Sequence, residues 1–226
     1  MVNFVEGLKR PFSDWKKLGI GFLLYLVPVV NLITGLFAWG FELECARTAM
    51  KKKKELPEWN NWGKLFVRGL SALAVSIIYA IPSIAIGVSF MWRLVLQLTQ
   101  QTTEINALQI FQIIKDNLSG DIIAFALILL LTAYVTPMAI IMYAKNYEFR
   151  NAFRFKEVFS KIFIWKYFGA WIFMAAYAII MSIVLQGIVF AVKEPNFVPI
   201  ILGAFTSIFV GITRFTIFGD VLRELK

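Results

Sequence analysis

Four charged side chains sit where burial is costly. Glu42, Glu44 and Arg47 lie in the apolar stretch 18–50, and Arg214 lies in another apolar stretch near the far end of the chain. Glu44 and Arg47 are spaced i, i+3, so they are neighbours on one helix face. Glu42 and Arg214 are placed to pair across helices at similar depth. An ionisable group within an apolar helix has two readings. It forms a structural ion pair or reaches back to an interface, or it lines a path for an ion or solute. The structural reading is the commoner one, and catalysis is the least expected.

The rest of the inventory narrows the chemistry further. The sequence has no histidine and a single cysteine, Cys45. That excludes Ser-His-Asp and Cys-His catalysis within the chain, as well as histidine-ligated metal and disulfide frameworks. No phosphate loop, Gly-rich dinucleotide motif or helix-borne metal pair occurs. The acidic residues are dispersed. No catalytic residue, cofactor or metal is assigned, and an enzyme is not expected. Asn31, Gln97, Thr132, Thr136, Gln186 and Thr213 are scattered along the apolar stretches. That pattern suits interhelical hydrogen bonds better than a polar pore stripe.

The elements that must position these groups are membrane helices. The chain has 226 residues, of which 59% are hydrophobic and 16% charged. Its mean hydropathy is +0.72. A soluble domain has about 25% charged residues, so this chain lacks the polar surface to cover a globule in water. Gly69–Trp92, Asp121–Ala144, Tyr167–Val192 and Phe197–Gly219 are each long enough to span a bilayer. Pro82 and Pro137 are expected to kink the first two. Lys193-Glu194-Pro195-Asn196 joins the last two. No small-residue cleavage site follows a short apolar core, so the first apolar segment is expected to be retained.

The stretch Lys51–Gly69 orients the remainder. Lys51, Lys52, Lys53 and Lys54 precede Pro57, and Trp59, Trp62, Leu65 and Phe66 then recur at helical spacing. The pattern predicts an amphipathic interface helix over 57–68 on the positive side of a bilayer. Two more basic aromatic segments resemble it, 3–17 with Trp15, and 145–166. The four lysines with Trp15, Trp59 and Trp62 are the candidate contacts to lipid headgroups, anionic ones in particular.

Lys16 and Lys17 lie before the stretch 18–50, and Arg47 and Lys51–Lys54 follow it. A single crossing would put one basic cluster on the wrong side. The charges therefore predict a hairpin turning near Pro28–Gly35, with legs of about 15 residues, short of a full span. Residues 97–120 predict a short amphipathic helix on the opposite side. With the N-terminus, 47–68, 145–166 and 214–226 on one face, all 23 Lys and Arg except Arg93, Lys115 and Lys193 share it. That face, with both termini, is assigned to the cytoplasm. The net charge of +9 is thereby explained without nucleic acid.

A basic aromatic segment, a glycine and an apolar helix pair recur three times, over 1–50, 56–147 and 148–226 of a single membrane domain. Lys17-Leu18-Gly19, Val67-Arg68-Gly69 and Tyr167-Phe168-Gly169 open the apolar parts. Such repeats fit a transporter or a duplicated packing unit.

The segments EGLKRPFSDWKKLGIG (6–21), LVPVVN (26–31), ARTAMKKKKELPEWNNWGKLFVRG (46–69) and FRNAFRFKEVFSKI (149–162) resemble a family of small polytopic membrane proteins. It is known only as domain of unknown function 4013. The resemblance implies a multispan membrane protein and brings no activity or site residues.

The sequence thus predicts an all-α polytopic bundle in the cell membrane. It has about four full spans, an N-terminal short hairpin and three cytoplasmic amphipathic helices. The expected role is a non-catalytic membrane scaffold or shaping protein, or a subunit of a membrane assembly. The alternative is an oligomeric channel or transporter for ions or small solutes. The expected partners are the bilayer with its anionic lipids, copies of the chain, or other members of a membrane complex.

Overall fold

The structure is a computed structural model, and it describes residues 2–99, 106–192 and 197–225. Every regular element among these residues is helical, with no strand. The helices are α1 (Phe4–Lys9), α2 (Trp15–Leu26), α3 (Asn31–Met50), α4 (Trp62–Thr99), α5 (Ala107–Asn117), α6 (Ser119–Asn146), α7 (Phe149–Ala152), α8 (Phe155–Ile162), α9 (Trp165–Val192) and α10 (Val198–Glu224), with a 3-10 turn over Arg10–Ser13. Four of them, α4, α6, α9 and α10, are long and apolar enough to cross a membrane. They coincide with the four spans read from the sequence. The connector 193–196 and the first part of the polar stretch, 100–105, lie outside the described residues.

The chain divides into two compact units. One comprises Met1–Val75 and Pro137–Lys226, and the other Ser76–Thr136.

In the larger unit, α2 and α3 run antiparallel. Leu18 clusters with Phe41 and Cys45, and the Thr34 hydroxyl donates to the Leu24 carbonyl at 2.6 Å. The turn falls at Val27–Val30, earlier than the expected Pro28–Gly35. Pro28 disfavours helix at the residue before it, and Val27 is accordingly extended (φ −91°, ψ 111°). Val29 takes a positive φ of 70°. The legs are unequal, with 12 residues in α2 and 20 in α3. Gly35 lies inside α3 rather than in the turn, and α3 alone is about 30 Å long.

The expected helix over 57–68 does not exist as a separate element. Residues 55–61 are irregular. Asn61 adopts φ 52°, and a single helix of 38 residues then begins at Trp62 and runs through Gly69 and Pro82. Nothing at Gly69 interrupts it, because Gly69 serves a contact between helices. Its Cα faces the Leu36 backbone carbonyl of α3 so closely that a Cβ would overlap it. Gly40 of α3 meets the Leu65 carbonyl of α4 in the same way. Two glycines, one on each helix, thus bring the two backbones together, as small residues do between membrane helices.

The core of this unit lies where α10 crosses α2 and α3. Leu18, Ala38, Phe41, Cys45, Leu56, Ile208 and Ile212 are buried together, with Phe22, Tyr25, Trp59 and Phe205 packed around them. In the smaller unit, the Ser83 hydroxyl of α4 and the Thr132 hydroxyl of α6 are 2.7 Å apart, an interhelical hydrogen bond of the kind read for the scattered polar residues. Thr136 instead bonds back within α6, donating to the Thr132 carbonyl at 2.7 Å. Arg93 donates to Asp121 at 2.7 Å.

Candidate functional site

Glu42 occupies the centre of the larger unit. It lies in the middle of α3 and is 1% exposed. Tyr25 of α2 donates its hydroxyl to Oε1 at 3.1 Å. Arg214 of α10 places Nη2 4.0 Å from Oε2, without a hydrogen bond to it. The carboxylate lies directly on Gly211, where a Cβ would overlap it. Two elements, α2 and α10, therefore close on one carboxylate of α3. Arg214 itself is partly exposed and lies 4.9 Å from the ring centroid of Phe215. Glu42 and Arg214, read from the sequence as cross-helix neighbours, stand next to each other in this geometry.

Glu44, two residues on, points to a different face of α3. Its Oε2 accepts from Arg68 Nη1 of α4 at 2.8 Å and from the Tyr147 hydroxyl just beyond α6. Arg47 stands off at 3.9 Å from Oε1. The Arg68 and Arg47 guanidinium carbons lie 3.9 and 5.0 Å from the Tyr147 ring centroid. Tyr147 is thus enclosed by two cations while its hydroxyl binds the anion between them. The i, i+3 pair anticipated from sequence is the weaker contact here. Arg68 and Tyr147 are the partners that the sequence did not single out, because they are distant in the chain.

Arg10 was also not singled out, and it is the most enclosed cation of the unit at 3% exposure. Arg10 opens the 3-10 turn ahead of Pro11, and its side chain reaches in between α3 and α10. Nη1 donates to the Cys45 carbonyl at 2.8 Å and to Thr216 Oγ1 at 3.1 Å. Nη2 donates to Thr48 Oγ1 at 2.5 Å and to the Glu55 carbonyl at 3.0 Å. Every acceptor is neutral.

The candidate headgroup residues divide. Lys51–Lys54 are all exposed, as are Trp15 at 63% and Trp62 at 43%. Trp59 faces inward instead. Its ring stacks on Phe41 with centroids 3.9 Å apart, and its Nε1 donates to the Lys17 carbonyl at 2.8 Å. Lys17 in turn donates to the Leu56 carbonyl at 2.9 Å and pairs with Glu58 at 2.7 Å. The LPEW stretch is therefore a strap fastened to the start of α2. Asp14 caps that helix, accepting from the Lys16 and Lys17 backbone N–H groups. These bonds, that to Lys17 foremost, hold its carboxyl below the usual aspartate range.

None of these groups forms a metal set. Among the described residues, no three of His, Cys, Asp and Glu come together as ligands.

Residues 23–190 match the family model described as protein of unknown function, DUF4013. No curated protein and no solved structure matches the chain.

Proposed function

The chain belongs to the DUF4013 family, and we propose that it acts mechanically in the membrane, as a non-catalytic scaffold that shapes the bilayer or as an integral subunit of a membrane assembly. The observation that carries this reading is the sealing of Glu42. A carboxylate 1% exposed, closed in by Tyr25, Gly211 and Arg214, locks helices together. A conducting path would need such a group open to water. Glu44 is partly exposed, but its bonds to Arg68 and Tyr147 likewise tie helices together.

The mechanism proposed is geometric. In α8, Val158 and Ile162 turn inward while Phe155 and Phe159 are exposed. Phe163 and Trp165 beyond them are exposed as well, at 79% and 82%, as is Trp15. Lys51–Lys54 are exposed and suit anionic headgroups. With the basic face and both termini in the cytoplasm, these aromatic side chains enter one leaflet only. Area added to one leaflet favours curvature.

Reconstitution into large liposomes at high protein density, followed by imaging, tests the proposal. Tubules or small buds are expected, and vesicles of unchanged shape would overturn the shaping role. Ion flux that Glu42→Gln abolishes would establish a channel instead.

A further inference from the structure

A cleft of about 240 Å³ opens at one end of the larger unit, between α1, the end of α3 and the last turns of α10. Five cations line it, Arg10, Lys52, Lys53, Lys54 and Arg223, against two carboxylates, Glu6 and Asp220. The carboxylates are already engaged. Glu6 lies 3.7 Å from Lys54, and Asp220 accepts from Arg223 at 2.7 Å. Arg10, Lys52 and Lys53 have no ion-pair partner among the described residues. From this geometry we infer that the cleft binds an anionic phosphate group.

The first support is Arg10. A buried cation is costly unless an anion compensates it. Its two terminal nitrogens bond only to neutral oxygens. Those bonds fix the guanidinium rigidly at the cleft wall, and Asp220, a carboxylate lining the same cleft, is already paired with Arg223, so net positive charge remains. The surrounding field is therefore positive, and it is held in place by α3, α10 and the strap at Glu55.

The second support is the way α3 ends. Lys52 N–H donates to the Ala49 carbonyl at 2.9 Å, and Lys53 N–H donates to the Thr48 carbonyl at 3.0 Å. This pair of bonds is the Schellman ending, whose left-handed residue is usually glycine. Here that residue is Lys52, at φ 60°. A lysine in that conformation is strained, and it turns the chain so that Lys53 and Lys54 follow along the same cleft. Three adjacent ammonium groups supply donors for the several acceptor oxygens of a phosphate, and the fixed guanidinium of Arg10, its terminal N–H groups already bonded to the protein, adds positive charge behind them. The phosphate comes from a lipid headgroup or from solution. The site stands whether or not the chain bends membranes.

The test uses the full chain in maltoside micelles, which carry no phosphate, with calorimetric titration of inorganic phosphate and, separately, of dioctanoyl phosphatidic acid. The double variant Lys52→Gln/Lys53→Gln is compared with Lys145→Gln/Lys156→Gln, which removes the same charge outside the cleft. Expected is binding by the parent chain that weakens at least tenfold in the first variant and less than twofold in the second. Binding of the lipid alone assigns a headgroup site, and binding of inorganic phosphate assigns a site open to the free ion. Either result supports the inference. Equal weakening in both variants, or no binding of either probe, would overturn it.

Discussion

Arg68 of α4 donates to Glu44 of α3 at 2.8 Å, and the same guanidinium covers the Tyr147 ring at 3.9 Å. One side chain therefore joins α3, α4 and the end of α6. Arg68→Gln is expected to remove an ionic hydrogen bond and a cation–π contact together, at about 2–3 kcal/mol for a partly exposed pair. Arg47→Gln is expected to cost less than half of that, because Arg47 lies 3.9 Å from Glu44. Thermal unfolding of both variants in maltoside ranks them, and equal losses would refute the assignment.

Gly69 and Gly40 permit the contact between α3 and α4. Adding one methyl at Gly69 puts a carbon onto the Leu36 carbonyl, and backbone cannot yield as a side-chain tip does. Gly69→Ala is expected to destabilise by about 1–3 kcal/mol. Gly19→Ala and Gly169→Ala meet open space and are expected to be neutral or slightly stabilising, since alanine favours helix. Comparing the three melting points checks this directly.

Arg10→Gln removes four hydrogen bonds from one buried guanidinium. An expected loss of about 3 kcal/mol follows from losing several hydrogen bonds to a charged group. Limited proteolysis should then cut within 51–61 sooner than in the parent chain, because Arg10 holds Glu55. An unchanged cleavage rate would show that the strap is held without it.

Asp14 supplies a pH dependence of known sign. Its folded carboxyl is held below its ordinary range by the N–H groups it caps, so the folded state favours the ionised form. The stabilisation is present above the unfolded value, near pH 4, and fades as pH falls through the lower folded value. In the variant Asp14→Asn the side-chain amide still caps the helix but does not titrate. The melting-point difference between the two chains is expected to be constant from about pH 7 to 5 and to change below about pH 4.

The four long helices are legible in the sequence because unbroken apolar runs report their own length. The meeting of Glu42 with Arg214 is legible for a similar reason, since few charges lie at that depth and they need partners. What is not legible depends on tertiary contact. Trp59 and Trp62 share a stripe with Leu65, yet Trp59 leaves it because Phe41 and the Lys17 carbonyl offer a better place. Gly19, Gly69 and Gly169 look equivalent in sequence, each opening an apolar run, but of the three only Gly69 meets another backbone. Arg10 reads as one of many basic residues near an interface. Its burial depends on Thr216, 206 residues away.

The closure on Glu42 also sets an order of assembly. Tyr25 and Glu42 leave the ribosome early and together, whereas Gly211 and Arg214 are made about 170 residues later. At elongation rates of about 5–20 residues per second, α3 waits roughly ten to thirty seconds with its carboxylate covered by Tyr25 alone. A chain that stopped short of Gly211 would lack the α10 backbone and the guanidinium that close over this carboxylate, with Tyr25 as its remaining cover.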